Sequence, residues 1–107
     1  INGLCYIIWE QGWIDEKFIK ERTVGYQEFI KHIQKYPPQE VAHITGVDVK
    51  TLYEVARLYA GAEAAMSAWT MGVNQSAMGT DTVSAIVNLA LMTGNLGKSG
   101  GVPMSLT

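Results

Sequence analysis

The residues of this chain best suited to hold a ligand lie between positions 71 and 81. They read Met71-Gly72-Val73-Asn74-Gln75, then, after three residues, Gly79-Thr80-Asp81. Gly72 and Gly79 let the backbone approach a bound group closely. Asn74 and Gln75 carry neutral amides whose donors and acceptors suit the edge of a heterocycle. If a helix begins at Thr80 or Asp81, its first N–H groups favour an anion. This chemistry is recognition, not bond breaking. The same residues also read as a plain strand-to-helix connection with glycines for its turns, and spacing alone leaves both readings open.

Other reactive side chains are scattered. His32 and His43 stand on separate predicted helices, with no Cys or acidic partner at metal-ligand spacing. His32 follows Lys31 on a charged helix and reads as a surface residue. His43 sits near a helix C-terminus, where a cation complements the dipole. Cys5, the single cysteine, can form neither an internal disulfide nor a thiolate metal cluster, and reads as a small core residue. Asp15/Glu16 and Glu21/Arg22 read as solvated faces, and Trp9 and Trp13 as packing residues; Trp69 either packs or lines a strand end. No serine–histidine pair, paired-carboxylate site or phosphate loop is present. The residues alone imply a buried α/β piece with a ligand-competent loop.

The elements that must carry this loop follow from periodicity and punctuation. Leu4, Ile7, Ile8 and Gln11 share a face of a first helix that Gly12 ends. Asp15 caps a second, with Ile14 and Ile19 spaced as a hydrophobic staple, running to about Thr23. Tyr26, Phe29, Ile30 and Ile33 repeat at helical spacing, so 26–35 is an amphipathic helix. Pro38 opens a fourth helix that Gly46 closes. Asp48 caps a fifth, whose stripe is Leu52, Val55, Ala56 and Tyr59. Positions 64–70 are small or apolar and predict a buried strand. The loop 72–79 leads to a sixth helix through Met92, with Gly94 as its stop. Val83, Ile86, Val87, Ala90 and Leu91 cover one of its faces, and Leu89 and Met92 the other, which predicts burial nearly all round. The Gly/Pro-rich stretch 97–103 predicts a loop. The expected class is an α/β fragment, predominantly helical, with about six helices and one strand. Its strand–loop–helix unit belongs to a parallel or mixed sheet.

Charge divides the chain. Of its eighteen charged side chains, only Asp81 and Lys98 follow Glu63. A small free-standing domain takes its surface from charged residues, so 64–107 requires something to cover it. The 107 residues fit at most one domain. The balance of −2 gives no basic patch for nucleic acid. No apolar run approaches the roughly 18–20 residues that span a bilayer. The chain opens on Ile1 in what reads as a helix under way, without an initiator Met or signal peptide. It stops on Thr107 after a Gly/Pro loop, and both ends read as interior to a longer polypeptide. A lone cysteine is compatible with the reducing cytoplasm.

The stretches M-G-V-N-Q at 71–75, G-T-D at 79–81, N-L-A-L-M-T-G-N-L-G-K at 88–98 and P-M-S-L-T at 103–107 resemble the molybdopterin oxidoreductase superfamily, the dimethyl sulfoxide reductase-like enzymes. Upstream, G-W-I-D-E-K-F-I-K-E-R-T at 12–23, I-T-G-V at 44–47 and A-R-L-Y-A at 56–60 are similar to the helical region preceding that loop. The resemblance covers essentially the whole chain. It implies a parent enzyme with a molybdenum bis(molybdopterin guanine dinucleotide) cofactor and a 4Fe-4S cluster, for which this fragment holds no ligands. It implies cofactor contacts for Met71, Gly72 and Gln75, and a near-metal substrate position for Thr107.

The ending Val102-Pro103-Met104-Ser105-Leu106-Thr107 is similar to the assimilatory and periplasmic-type nitrate reductases. Formate dehydrogenases tend to carry a functional Arg at the position of Thr107. Ser99 and Val102 depart from the Pro and Gly usual there. The expectation is therefore part of a nitrate reductase, with residues 1–63 as a helical segment and 64–107 as the cofactor-contacting segment. Its partners are the rest of the catalytic subunit and a small oxyanion substrate, with no nucleic acid and no membrane. The fragment alone is expected to be inactive, to bind no cofactor, and to self-associate through exposed apolar surface, in particular 83–92. The alternatives are a formate dehydrogenase fragment with the same cofactor and a non-catalytic helical interaction module.

Overall fold

The computed structural model describes residues 1–106. Among them are seven helices and a two-stranded parallel sheet. The first five helices are α1 (Asn2–Glu10), α2 (Glu16–Arg22), α3 (Tyr26–Ile33), α4 (Pro38–Thr45) and α5 (Val49–Gly61). Strand β1 (Met66–Trp69) runs into the one-turn helix α6 (Met71–Asn74). Helix α7 (Gly79–Met92) and strand β2 (Val102–Ser105) complete the order. The predominantly helical α/β class and the parallel pairing are as expected, with one helix and one strand more than the sequence pattern revealed.

The core is built on α1, which packs against α3, α4, α5 and α7. Cys5, Ile7 and Ile8 of α1 are wholly buried and meet Ile30 and Ile33, Val41, Leu52 and Ala56, and Leu89 and Met92. Gln11, expected on this apolar face, is exposed and follows the helix end. Gly3 lets α1 and α4 approach, since a Cβ there would stand 2.9 Å from the Val41 side chain. Trp9 and Trp13 pack against the core, and Trp9 makes an edge contact with Tyr6 at 5.6 Å.

The local signals explain most boundaries. Asp15 accepts the Phe18 N–H at 3.0 Å and so caps α2. Pro38 opens α4, and Gly46 closes it in the left-handed conformation at φ 76°. Asp48 occupies the N-cap position of α5 without a side-chain bond to the helix.

Three departures concern the second half. First, α7 begins at Gly79 with Met78 before it, and neither Thr80 nor Asp81 caps it. The turn after α6 runs straight into the helix, Gly79 N–H donating to the Ser76 carbonyl at 3.0 Å. Second, Val102–Ser105, within and beyond the predicted loop, is a strand. Pro103 hid it, because proline is tolerated only on edge strands, and in this two-stranded sheet β2 is an edge. Third, β1 is not buried on both faces. Met66 is 52 % exposed and Ala68 is open, while Ser67 and Trp69 are half-covered. Helix α7, in contrast, buries Ala85, Ile86, Leu89, Ala90 and Met92 within the chain. The outer sheet face is thus one exposed apolar surface, with Met66 and Met104 open, whereas α7 turns most of its apolar residues inward.

Candidate functional site at the strand edge

Strands β1 and β2 are parallel, with Trp69 opposite Ser105 at their C-terminal ends. Everything that leaves those ends is brought to one edge. In α/β proteins such an edge, outside the carboxyl ends of the strands, is where ligands bind. Leaving β1, Thr70 leads into α6, which carries Met71, Gly72, Val73 and Asn74, with Gln75 at its C-cap. Leaving β2, Leu106 donates its N–H to the Trp69 carbonyl at 2.8 Å and extends the pairing by one step. Positions 71–75 and 105–106, some thirty residues apart in sequence, are neighbours in space.

The exposures at this edge suit a binding surface. Met71 is 54 % exposed. Gly72 is exposed, and a Cβ built on it meets no atom within 4 Å. Gln75 is exposed, and its amide makes no hydrogen bond to any described residue. Helix α6 contributes no buried residue. Between Glu63 and Asp81 the chain has no ionisable side chain, so the edge is electrically neutral apart from its backbone dipoles. The structure therefore brings Met71, Gly72 and Gln75 together. Thr107, the fourth expected site residue, lies outside the described residues.

Asn74 behaves differently from its neighbour. Its Oδ1 accepts the Trp69 indole N–H at 2.9 Å, and its Nδ2 donates to the Ser105 hydroxyl at 3.0 Å. The amide that the sequence offered to a ligand is used inside the protein. Trp69 and Ser105 gain a role that no spacing rule could assign, because β2 itself was hidden. A second asparagine does similar work at the other end of the strand. Asn95, buried, accepts the Ala65 N–H at 2.8 Å and donates to the Thr93 hydroxyl at 2.8 Å.

No group of three His, Cys, Asp or Glu residues capable of holding a metal occurs among the described residues. His32 and His43 are both exposed, on α3 and α4. The Cys5 thiol is pushed up to about 12 by burial, which leaves it protonated and inert at neutral pH. A larger open cleft of about 530 Å³ lies between α2 and α3, lined by Ile14, Ile19 and Tyr26 with surface charges around them. It touches none of the expected site residues. No described helix is long and apolar enough to cross a membrane.

The fold is a helical body carrying a parallel strand–helix–strand unit, with a neutral, glycine-bearing turn at the strand ends. The chain belongs to the molybdopterin oxidoreductase family, whose model matches residues 1–107. It is 36 % identical over 107 residues to a nitrate reductase of Synechocystis sp., covering 100 % of this chain and 15 % of that protein. It is 42 % identical over 100 residues to the F420-dependent formate dehydrogenase subunit alpha of Methanocaldococcus jannaschii, covering 94 % of this chain and 15 % of that protein. It is 40 % identical over 98 residues to formate dehydrogenase H of Escherichia coli, covering 92 % and 14 %. The chain thus spans about 15 % of the length of the relatives it matches.

Proposed function

We propose that this chain is the part of a molybdopterin-dependent catalytic subunit that presents Met71, Gly72 and Gln75 to a molybdenum bis(molybdopterin guanine dinucleotide) cofactor, in an enzyme that reduces nitrate to nitrite. The observation that carries this reading is the meeting of 71–75 with 105–106 at one strand edge. The residues present fit such a group. An exposed thioether supplies a soft, polarizable wall. Gly72 leaves open space for the cofactor to reach the backbone. The unengaged Gln75 amide can hydrogen-bond a pterin edge without adding charge. The absence of carboxylates between 64 and 80 spares a polyanionic group from repulsion.

When bound, the cofactor supplies two-electron chemistry: nitrate takes up two electrons and two protons and yields nitrite and water. This chain's residues bind and orient. Thr107 contributes a neutral hydroxyl in the substrate shell, where a cation would instead favour a carboxylate. The 4Fe-4S cluster that feeds electrons is held by other segments of a longer polypeptide, since the only cysteine here is buried in the helical body. Residues 1–63 form that body, and residues 64–107 the cofactor-facing unit, in a cytoplasmic enzyme. The isolated 107 residues bind no cofactor. Stoichiometric molybdenum in the purified chain would overturn that statement.

A second reading has specific support. Two formate dehydrogenases are 42 % and 40 % identical to this chain, above the 36 % of the nitrate reductase. Favouring nitrate, the nitrate reductases of Synechocystis sp. and Symbiobacterium thermophilum both match over 100 % of the chain, the Leu106-Thr107 end included. The deciding experiment assays the full-length protein with viologen dyes, using nitrate as oxidant and formate as reductant. Turnover with formate alone overturns the nitrate assignment.

A further inference from the structure

Asn74 is gripped from three sides. Its Oδ1 faces the Trp69 indole N–H of β1, and its Nδ2 faces the Ser105 hydroxyl of β2. Its backbone carbonyl lies against the start of α7, where a Cβ on Gly79 would come within 2.8 Å of both the Asn74 and Val73 oxygens. An indole nitrogen can only donate, so the amide has one orientation, and its NH₂ group is necessarily turned to Ser105. The turn it anchors has no buried residue of its own. Apolar burial, the usual way of fixing a segment, is therefore missing from α6, and directional bonds replace it.

We propose that Asn74 is a positioning residue that sets the distance between the two cofactor-facing segments. It holds Met71, Gly72 and Gln75 on one side in register with Ser105 and Leu106 on the other. This rests on the reading that α6 faces the molybdenum cofactor. Asn74 itself contacts protein at both ends of its amide, and acts through its neighbours. An ordinary βα turn needs no such bond to the next strand. A cofactor edge assembled from two sequence-distant segments does, because an error of 1 Å between them is felt by a group touching both.

The test uses the full-length holoenzyme with four variants: Asn74→Leu, Trp69→Phe, Ser105→Ala and Ser105→Thr. The readouts are molybdenum content, the electron paramagnetic resonance signal of half-reduced molybdenum, and kcat/KM. Trp69→Phe and Ser105→Ala each remove a bond to Asn74, and each is expected to lower kcat/KM about fivefold. Asn74→Leu is expected to lower it further and to broaden or split the resonance, because α6 then samples more than one position. Ser105→Thr keeps the hydroxyl and is expected to return to within about twofold of the wild type. Met71→Ala and Gln75→Leu are measured beside them. If these two alter the resonance while Trp69→Phe, Ser105→Ala and Asn74→Leu leave it as in the wild type, the positioning role is wrong and the cofactor reading stands. If Met71→Ala and Gln75→Leu also leave it unchanged, the cofactor reading itself fails. Should Asn74→Leu load no molybdenum, the two single-bond variants decide.

Discussion

A Cβ added to Gly94 would stand 2.5 Å from the Oδ2 of Asp15. The two residues join the end of α7 to the start of α2. Gly94 follows the last turn of α7 at φ 71°, and the Asp15 N–H donates to the Met92 carbonyl at 2.8 Å. The same Asp15 carboxylate caps α2 through Phe18. Gly94→Ala combines left-handed strain with displacement of a cap, and is expected to destabilise the fold by about 2–3 kcal/mol. Gly46→Ala is the control: its φ of 76° is similar but nothing lies within 4 Å of the added Cβ. It is expected to cost only the strain, about 1 kcal/mol. Urea unfolding of both variants checks the difference.

Asn95 holds the entrance to β1 as firmly. It is 1 % exposed, and both ends of its amide are bonded. Asn95→Leu leaves the Ala65 N–H without its acceptor and puts a branched apolar group beside Thr93. A loss of about 2–3 kcal/mol is expected, with Ala65 among the first amides to gain hydrogen exchange.

Cys5 gives the stability a pH dependence at the alkaline end. Burial raises the folded thiol to about 12 from an ordinary value of 9.0. Between these values the unfolded chain has lost the proton and the folded chain still holds it, so the unfolded state binds fewer protons and stability falls as pH rises. The contribution is complete below pH 9 and is lost on approach to 12. Cys5→Ala is expected to flatten this alkaline limb. A thiol reagent at pH 8 is expected to label the wild type only at the rate of unfolding.

The open sheet face sets how the isolated chain behaves. Met66 and Met104 are 52 % and 37 % exposed, and the register puts Ala68 opposite Met104. Parallel sheets are normally covered on both faces, and among the described residues α7 is the main helix packed against this one. Sedimentation of the 107-residue chain is expected to show association that Met66→Lys with Met104→Lys weakens. Val87→Lys, on the helix first expected to mediate it, is the comparison; an equal effect from that change would show that the sheet face is not the contact.

The helical half was legible because its signals are local. Asp15, Pro38 and Gly46 act within one turn of themselves, and the stripes of α3 and α5 repeat at one period. The geometry of the candidate site was half legible. Met71, Gly72 and Gln75 stand out as a neutral turn after a strand, and the structure brings them together. Strand β2 was not, because Pro103 and the glycines around it carry a loop signature, and pairing with β1 is a long-range fact. Asn74 was misread for the same reason: its partner Ser105 belongs to that hidden strand. The exposure of Met66 and Ala68 escaped because an uncharged run reads as buried whether or not its covering layer is present.

The pairing of Trp69 with Ser105 also orders events in time. Closing a chain segment of this length costs about 3 kcal/mol of entropy before any contact repays it. Helix α7, by contrast, is anchored by Leu89 and Met92 in the α1-centred core. The strand edge, whose α6 buries no residue, is expected to be the first part of the described chain to open. Hydrogen exchange is expected to release the Leu106 amide well before those of Leu89 and Ala90. The strand edge can thus come apart while the body that supports it stays folded.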